Sequence, residues 1–510
     1  MNKHLLFKAL ALFFPAFLHA QEPHPCGTAP VIDPWLLEYK QHPEQFATAR
    51  SFDTLYAGVQ VHLVARNNGT GRFTVERLLD AFCRLNLDFQ PAAVQFFLKN
   101  DWTTPNNTNW YNHSDIPEGI EMMFENNVPD ALNAYFVGDP AGNCGYNLPY
   151  AGVAIAHQCA NPDDHTWTHE VGHALTLPHP FIGWEGKVYN FAVPTPDTLT
   201  YDYTYFHSTP DTIVPAPLDT ALVERLDGSN CGIAADLFCD TKPDYLSYRW
   251  NCDNNGQSQV TLKDQNGATF KADGTLYMSY ADDDCSNRFS DEQIATLRAN
   301  LLTQKTAWLH PGAPYPDISG APALLSPNGG ETVPAVDIPL HWSPAPGATH
   351  YLVQVSRFSN YVVKNYDLVV TDTTFTAATL LPNYTYYWRV RPFNYGHTCA
   401  SFTENASFYA IPSSSVGGLA TDDNFRYYPT RLSPGQQLTL EIPADWLNQT
   451  AECRFFDATG RLVWQTRLTP GAEKITLSLP SDEWQAGIYR MVWTNSTVSR
   501  SATLFCTGGQ

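Results

Sequence analysis

The sequence predicts an α+β unit, built from a mixed twisted sheet and an active-site helix, followed by two all-β sandwiches. Three observations lead to this prediction. The segment from Gly58 to Val64 alternates as a strand does, and a helical histidine motif begins at His169. After the proline-rich stretch 310–316, strand-and-turn patterns replace helical ones. Since 510 residues are too many for one domain, we expect a domain boundary at that stretch.

The N terminus has the pattern of a secretory signal peptide over residues 1–20. Lys3 and Lys8 are followed by an apolar run from Ala9 to Leu18 and then by the small residue Ala20. This run is too short for a permanent anchor, and no other apolar stretch is long enough to cross a bilayer. We therefore expect a secreted protein, extracellular or at the outer cell surface, with no transmembrane segment.

The net charge of −21 argues against nucleic acid as a partner, because phosphates require basic surfaces. An acidic chain of this kind suits an extracellular protein and would attract basic substrates. The sequence contains no nucleotide-binding loop and no internal repeat.

Eleven cysteines in an exported chain predict disulfides, with one cysteine left over. Cys144 and Cys159 bracket a short segment before the histidine motif and are expected to join across a hairpin. Cys453 and Cys506 are a second candidate pair. Four others are expected to form two bridges whose connectivity the sequence leaves open: Cys231, Cys239, Cys252 and Cys285.

The segment that begins at His169 contains the ligands of a zinc site and a general base. On an α-helix, His169 and His173 project from one face, so both imidazoles can bind one Zn²⁺. Glu170 lies beside them, within reach of a metal-bound water. Pro178 ends the helix, because the residue before a proline avoids the α region, and His179 can then return as third ligand. Three protein ligands leave one position for water, as in catalytic zinc sites.

The start of this helix is also predicted. Asn161 is a favourable N-cap, and Pro162 suits the first helical position. Asp163 and Asp164 complement the positive end of the helix dipole. We therefore expect the helix to begin at Pro162.

The histidine segment resembles the metzincin signature H-E-x-x-H-x-x-G-x-x-H. Thr176 stands where that signature has glycine, at a turn with a left-handed backbone, and a β-branched residue there costs roughly 1–2 kcal/mol. Downstream, Met278 lies in a segment, 276–285, that resembles the methionine turn below the metal of metzincins. Together with the following run 287–290, this segment is similar to the pappalysin family. The likeness extends from about Ala57 to Leu309.

The resemblance implies a zinc metalloendopeptidase over residues 51–312 that acts on protein or peptide substrates. Glu170 would take the proton of the attacking water, and Tyr280 would hydrogen-bond the tetrahedral intermediate. In the family, an acidic residue in the position of Asp284 forms the floor of the pocket for the residue after the scissile bond. This implies a preference for Arg or Lys there. From the residues alone, Asp282, Asp283 and Asp284 could equally face solvent or bind calcium.

Two further implications concern how the enzyme would be kept inactive before its activation. Cys26, followed by Gly27 and Thr28, resembles the cysteine switch of pappalysin zymogens, in which a pro-segment thiolate occupies the open zinc position. Residues 21–50 would be that pro-segment, and cleavage before Arg50 would release it. The alternative is that Cys26 forms a disulfide with Cys83 or another cysteine.

The segment 231–245 resembles the calcium-binding loop of the same family. The resemblance implies a structural Ca²⁺ held by hard oxygen ligands from Asp236, Asp240 and Thr241.

The remaining chain resembles two β modules. Residues 317–412 are similar to a fibronectin type III domain in the runs 340–342 and 386–391, and could act as a spacer, a substrate-docking module or a glycan binder. Residues 420–510 resemble a type IX secretion C-terminal sorting domain in the runs 457–463 and 487–489. This second likeness implies the type IX secretion machinery as a partner.

Two functions from different classes follow. The first is a secreted zinc endopeptidase, favoured because His169, Glu170, His173, His179 and Met278 are all present. The alternative is a non-catalytic surface adhesin or binding protein that uses its β-domains, and only the departure at position 176 speaks for it. Peptide hydrolysis separates the two.

Overall fold

The computed structural model describes residues 26–50, 53–149, 151–200, 220–412, 426–459, 461–480, 483–495 and 499–507. The expected signal peptide and the first five residues of the expected pro-segment lie outside the described residues. Within the described ranges, no helix combines the length and apolarity needed to cross a bilayer.

The helices lie almost entirely in the first 303 residues of the chain. Short 3-10 turns occur at Pro43–Arg50, Gln90–Ala92, His157–Cys159, Cys231–Ile233, Thr306–Trp308 and Ala444–Trp446. The described α-helices are α1 (Pro34–Gln41), α2 (Val75–Phe89), α3 (Thr108–Tyr111), α4 (Ile116–Asn126), α5 (Thr166–Ala174) and α6 (Asp291–Thr303).

A mixed sheet forms the centre of this part of the chain, as the sequence predicts. Its strands are β1 (Leu55–Leu63), β2 (Val94–Leu98), β4 (Leu132–Val137), β6 (Gly145–Leu148), β7 (Gly152–Ala156) and β12 (Leu309–His310). The order is β12-β1-β4-β7-β6, with β2 also paired to β1. β1, β2, β4 and β7 are parallel, whereas the edge strands β6 and β12 are antiparallel to their neighbours. Smaller pairings involve β3 (Asn112–His113), β5 (Asp139–Pro140), β8 (Thr198–Thr200), β9 (Thr220–Leu222), β10 (Leu262–Lys263) and β11 (Thr269–Phe270).

The main apolar core lies between this sheet and two helices. β1 is buried along most of its length, as expected for a parallel strand covered on both faces. From α2, Phe82 and Phe89 enter the core, and from α5, Trp167 and Val171 do so on the side away from the histidines. Complete burial of a side chain the size of Phe82 contributes roughly 1.5–3 kcal/mol. This packing fixes α5 against the sheet.

The helix α5 begins at Thr166, four residues after the predicted start, which was therefore wrong. Asn161 caps a turn instead of the helix, because its backbone N–H and side-chain amide both donate to the carboxylate of Asp164 at 2.8 Å. The residue before α5 is His165, whose backbone N–H donates to Asp283 at 2.9 Å.

From residue 324 to 411 the regular secondary structure consists of strands. We call this part the middle β segment. Its two sheets have the orders β13-β15-β18 and β14-β20-β19-β16-β17, and one buried apolar cluster takes residues from both. The strands are β13 (Leu324–Ser326), β14 (Glu331–Pro334), β15 (Val336–Trp342), β16 (His350–Ser356), β17 (Tyr366–Val370), β18 (Thr374–Thr379), β19 (Tyr384–Phe393) and β20 (Ala406–Ile411).

The described residues from 426 to 506 form two further sheets, with the orders β21-β23-β26 and β22-β28-β27-β24-β25. They also share one apolar cluster. The strands are β21 (Arg426–Tyr428), β22 (Arg431–Leu432), β23 (Gln437–Glu441), β24 (Ala451–Phe456), β25 (Leu462–Leu468), β26 (Lys474–Ser478), β27 (Gly487–Thr494) and β28 (Ser499–Cys506).

The middle β segment packs against the outer face of α2. Leu79 of α2 forms a buried cluster with Leu352 and Phe393. Beside it, the guanidinium of Arg391 donates to the carboxylate of Asp80 at 2.6 Å. A second ion pair, between the carboxylate of Glu76 and the guanidinium of a neighbouring arginine in β19, measures 3.1 Å. These contacts join the mixed-sheet part of the chain to the middle β segment.

Four disulfides lie within the described residues, and one of them reinforces that junction. The bridge between Cys144 and Cys159 is the one expected. Cys83 pairs with Cys399, across 316 residues, so the alternative bridge from Cys26 to Cys83 was wrong. The four bridges are Cys83–Cys399, Cys144–Cys159, Cys231–Cys239 and Cys252–Cys285.

The expected bridge between Cys453 and Cys506 was also wrong. Cys453 lies opposite Trp493 on β27, whereas Cys506 lies opposite Gly487 on the same strand. These two positions of β27 are six residues apart, which corresponds to about 20 Å along a strand. The two sulfurs therefore cannot meet.

Candidate functional site

Three imidazoles converge beside the edge strand β6. α5 projects His169 and His173 from one face, and the chain returns after the helix to bring His179 between them. The three Nε2 atoms lie 3.0–3.1 Å from one another. A tetrahedral Zn²⁺ bound at 2.0–2.1 Å would separate such nitrogens by about 3.3 Å. The triangle therefore fits one zinc ion after a shift of a few tenths of an ångström.

Two of the imidazoles are oriented by a hydrogen bond from their other nitrogen. His169 Nδ1 donates to the carbonyl of Tyr277 and His173 Nδ1 donates to the carbonyl of Leu177, both at 2.7 Å, so their Nε2 lone pairs face the centre of the triangle. The carboxylate of Glu185 lies 3.5 Å from Nδ1 of His179, and its Oε1 has no hydrogen-bond partner. Sequence analysis missed Glu185, which no motif marks.

Burial keeps these imidazoles neutral. It lowers the pKa of His169 to about 4 and lowers the pKa of His173 well below its ordinary value. A neutral imidazole is the form that binds a metal ion. These two imidazoles can therefore bind a cation without first losing a proton.

The turn after α5 has the geometry expected from the motif. The backbone φ of Thr176 is 77°, in the left-handed region. The N–H of Leu177 donates to the carbonyl of Gly172, and that of Thr176 donates to the carbonyl of His173, both at 2.9 Å. This is a Schellman C-cap, in which the left-handed position is usually glycine. The buried hydroxyl of Thr176 has no hydrogen-bond partner, so the residue adds both strain and an unsatisfied polar group.

Met278 lies directly beneath α5. It is fully buried, and a Cβ atom added to Gly172 would lie 2.4 Å from its sulfur. The helix can approach the methionine this closely only because position 172 is glycine. Since the preceding residue, Tyr277, accepts from His169, the turn at Met278 both supports the helix and orients a ligand.

The sulfur of Cys26 completes the cluster. It lies 3.6 Å from Nε2 of His173, and its distances to all three candidate nitrogens fall within 4.8 Å. Burial and the charge of Glu170 raise the pKa of the Cys26 thiol well above its ordinary value, and only a bound cation would favour the thiolate. Three imidazoles and one thiolate are a donor set typical of tetrahedral Zn²⁺.

The residues after Cys26 lie along the edge strand β6. The N–H of Gly27 donates to the carbonyl of Gly145 at 2.8 Å, and the N–H of Asn147 donates to the hydroxyl of Thr28 at 2.7 Å. Further on, Leu36 of α1 is fully buried in the main core. The segment from Cys26 to α1 therefore covers the candidate site as an integral part of the described structure.

Glu170 lies inside this arrangement with no exposed surface. Its Oε2 accepts from the hydroxyl of Thr28 at 2.9 Å, and its Oε1 has no hydrogen-bond partner. Burial raises the pKa of Glu170 to about 8, against the opposing effect of its hydrogen bonds. A carboxyl group with such a pKa can hold or release a proton near neutral pH.

Tyr280 is buried beside the third imidazole, with its ring centroid 4.9 Å from that of His179. Its hydroxyl donates to the backbone carbonyl of Cys26 at 3.2 Å. The hydroxyl is thus directed at a carbonyl oxygen next to the candidate metal position.

A cavity of about 600 Å³ adjoins the ligands His173 and His179 on the side toward which the chain leaves Cys26. Thr28 and Pro30 form one wall, and the segment 127–133 forms another. This volume is within the range of small-molecule and peptide sites.

The structure does not place Asp284 in a pocket. Asp284 is exposed, whereas a small cavity of about 20 Å³ beside His169 and Tyr280 is lined by Asp283 and Arg249. The guanidinium of Arg249 pairs with the carboxylates of Asp282, at 2.9 Å, and Asp283. Arg249 thus pairs with Asp282 and Asp283, whereas the next residue, Asp284, faces solvent.

The three expected calcium ligands are only partly together. The hydroxyl of Thr241 lies 3.2 Å from both carboxylate oxygens of the buried Asp236. Asp240 instead caps α6, where it accepts from the hydroxyl of Ser290 and from the N–H of Glu292. Sequence analysis missed Glu224, which is 3% exposed and has an Oε2 atom without a hydrogen-bond partner.

Both buried acids near this loop have raised pKa values. Burial, together with the charge of Asp236, raises the pKa of Glu224 to about 9. Burial raises the pKa of Asp236 to about 7. The charge of Lys40 opposes the effect of burial on the pKa of Asp236 but does not cancel it.

No protein-family profile and no curated protein sequence matches this chain. Among solved structures, a mutant promirolysin from Tannerella forsythia is similar at 18% identity and a TM-score of 0.36, over 56% of this chain and 95% of that one. The FN1–FN3 domains of chicken CNTN1 are similar at 14% identity and a TM-score of 0.17, over 39% of this chain and 70% of that one. An α-L-rhamnosidase from Streptomyces avermitilis, in complex with L-rhamnose, is similar at 14% identity and a TM-score of 0.16, over 36% and 24%. Likeness at these TM-scores assigns neither the fold nor the activity of this chain.

Proposed function

We propose that this chain is a secreted zinc-dependent endopeptidase that is held latent by its own N-terminal segment. The observation that carries the proposal is the convergence of His169, His173 and His179 beside the buried Glu170, with the sulfur of Cys26 in the fourth position. A hydrolytic zinc site needs three protein ligands, one replaceable ligand and a base within reach of it.

Each residue of the site then has a defined role. A zinc ion held by the three imidazoles would supply Lewis acidity toward water and the scissile carbonyl. Glu170 takes a proton from the attacking water and delivers it to the leaving amine. Tyr280 donates its hydroxyl to the carbonyl oxygen as negative charge develops there, in the direction in which it now donates to the carbonyl of Cys26.

Latency rests on residues 21–50. The thiolate of Cys26 excludes water from the fourth position, and Thr28 engages Glu170 through a 2.9 Å hydrogen bond. Hydrogen bonds to β6 occupy the edge along which a substrate would otherwise pair. Cleavage before Arg50 releases this segment without cutting into β1.

For the substrate, we propose a preference for Arg or Lys after the scissile bond, with Asp283 in the role first assigned to Asp284. Asp283 lines the small cavity beside Tyr280 and already binds one guanidinium, that of Arg249. The cavity holds only about 20 Å³, so a basic substrate side chain can enter only when Arg249 turns away. The substrate side chain then pairs with the carboxylate of Asp283 in place of Arg249.

A structural Ca²⁺ is proposed near Thr241, with Glu224 and Asp236 as its carboxylate ligands. Two buried acids with no cation between them favour a hard divalent ion. Asp240 is not included among these ligands, because its carboxylate caps α6. Export through the type IX route by residues 420–510, and a fibronectin type III-like identity for residues 317–412, also remain proposals that rest on sequence resemblance.

The experiment is a digest of an unfolded protein by the zinc-loaded form that begins at Arg50, beside a Glu170→Ala control. New N termini are read by mass spectrometry. Cleavage that is lost in the control, with Arg or Lys at the new N termini, supports the endopeptidase and its preference. Folded, zinc-loaded protein that cleaves nothing would favour the alternative, a non-catalytic adhesin or binding protein.

A further inference from the structure

Asp88, near the end of α2, is a buried carboxylate that accepts hydrogen bonds from two other segments, the start of α5 and the turn at Met278. It is 4% exposed. Its Oδ2 accepts from Nδ1 of His165 at 2.7 Å and from the hydroxyl of Thr168 at 2.6 Å. Its Oδ1 accepts from the hydroxyl of Tyr277 at 3.1 Å. The guanidinium of Arg84, one helical turn earlier, lies 3.8 Å away.

The donors to Asp88 lie on both sides of one zinc-ligand candidate. Thr168 directly precedes His169 in α5. On the other side, the backbone carbonyl of Tyr277 accepts from Nδ1 of His169 at 2.7 Å. One carboxylate thus sets the rotation of α5 and, through the tyrosine ring, the position of the carbonyl that orients the imidazole.

A second consequence concerns His165. In the neutral imidazole, the Nδ1–H that donates to Asp88 makes Nε2 an acceptor. His165 lines the small cavity that also contains Asp283 and Arg249. The same carboxylate therefore fixes a ligand of the candidate metal centre and the tautomer of a residue in the neighbouring pocket.

We propose that Asp88 is a positioning residue of the metal centre, which holds His169 in the orientation that binds the metal and holds His165 as an acceptor in the pocket. The inference rests on the proposed function only for its catalytic meaning, since its effect on metal binding does not require hydrolysis.

Asparagine is the informative replacement at position 88, because it has the shape of aspartate but no charge and only one acceptor oxygen. That oxygen can keep the bonds from His165 and Thr168, so the amide nitrogen then faces the hydroxyl of Tyr277, and the direction of that hydrogen bond is reversed. Asp88→Asn is therefore expected to keep the packing and to weaken the charge-assisted hold on Tyr277, whose carbonyl orients His169.

The test measures metal affinity and ligand geometry in the full chain. Zn²⁺ affinity is obtained by competition with a coloured chelator, and the visible ligand-field bands of the Co²⁺-loaded protein report the coordination geometry. Asp88→Asn is expected to lower Zn²⁺ affinity about 10- to 100-fold, as is usual for outer-shell partners of metal ligands, and to shift the Co²⁺ bands.

The matched control is Asp80→Asn, because Asp80 is also a carboxylate of α2 but pairs with Arg391 of the middle β segment. It is expected to change neither quantity. If Asp88→Asn does not fold, Thr168→Val and Tyr277→Phe each remove one donor to Asp88 and leave the carbonyl of residue 277 in place. Each is expected to weaken Zn²⁺ binding several-fold.

Equal Zn²⁺ affinities and equal Co²⁺ bands for the wild-type chain and the Asp88 variant, or for both single-donor variants, would overturn the inference. A chain whose metal affinity depends on Asp88 but which hydrolyses no peptide would instead contradict the proposed function and leave the inference intact. The two failures are therefore distinguishable.

Discussion

The sulfur of Cys26 lies 3.6 Å from Nε2 of His173, although 147 residues separate them in the sequence. Neither residue has a reason to be there for packing alone, because a buried thiol and a neutral imidazole gain little from each other. A cation between them accounts for the pair and for the two other imidazoles that face the same point. The N-terminal segment and the histidine helix therefore form one site.

Replacement of Thr176 by glycine is expected to stabilise the zinc-loaded chain by about 0.5–1 kcal/mol. The change removes left-handed strain of roughly 1–2 kcal/mol and a buried, unsatisfied hydroxyl, and it adds part of that back as backbone entropy of the unfolded chain. The midpoint of urea unfolding measures the effect. Thr176→Ala, which removes the hydroxyl but keeps Cβ and the strain, is the control and should gain less. A lower midpoint for the glycine variant would contradict this explanation.

In the absence of Ca²⁺, the contribution of Asp236 and Glu224 to stability is expected to fall as the pH rises from about 4 toward 9. The unfolded chain releases the protons of these two acids near pH 4, whereas the folded chain keeps them up to pKa values of about 7 and about 9. Because the folded state binds more protons at these two groups over this window, their contribution decreases with pH, and the comparison with a variant at position 224 isolates it from the histidines, whose lowered pKa values act in the opposite direction.

Thermal unfolding in a chelator at pH 5, 7 and 9 measures this slope. Ca²⁺ should raise the unfolding temperature most at pH 9, and Glu224→Gln should flatten the slope and remove most of the Ca²⁺ effect. The calcium proposal fails if Ca²⁺ stabilises the wild-type chain and the Gln variant equally.

The two adjacent acids of the Met278 turn are expected to differ in their effect on specificity. Asp283→Asn should lower kcat/KM for peptides with Arg after the scissile bond about 10- to 100-fold, the effect of losing one charge-assisted hydrogen bond. Asp284→Asn, the matched control, should stay within about twofold, because Asp284 is exposed. Kinetics on a peptide pair that differs only in Arg or Leu at that position decides the matter. A larger loss for the second variant would restore the original assignment to Asp284.

Loss of the Cys83–Cys399 bridge is expected to destabilise the junction of α2 with the middle β segment. A native disulfide typically contributes about 2–4 kcal/mol. Once this bridge is removed, the ion pair between Asp80 and Arg391 and the buried Leu79 hold the junction only in part. Limited proteolysis of the Cys83→Ser, Cys399→Ser double variant should show faster cleavage between residues 310 and 320 than in the wild-type chain. Unchanged rates would mean that the non-covalent contacts suffice.

The parts of the site that the sequence predicted depend on local geometry. The spacing of His169, Glu170 and His173 on a helix, and the left-handed turn at Thr176, follow from a few consecutive residues. The helix start was predicted too early, because Asn161 can cap a turn as well as a helix, and only the contact of Asp164 decides which.

The parts that were missed depend on contacts between distant residues. Asp88, Glu185 and Glu224 carry no local pattern, since any buried acid in a helix or loop looks like a solvated one in the sequence. Three consecutive aspartates look alike in the sequence, and only the position of Arg249 distinguishes them. The partner of Cys83 lies 316 residues away and could not be read from spacing.

The central claim, a zinc peptidase held latent by its own thiol, is tested most directly by peptide hydrolysis with the uncleaved, zinc-loaded full chain and its Cys26→Ser variant. A quenched fluorescent peptide with Arg after the scissile bond serves as substrate, and gel analysis establishes that no chain has been cut. We predict that the wild-type chain is silent, that Cys26→Ser is at least about tenfold more active, and that adding Glu170→Ala abolishes the gain. Equal activity of the first two proteins would contradict latency through the thiol, and a gain that persists after Glu170→Ala would contradict the assigned peptidase site.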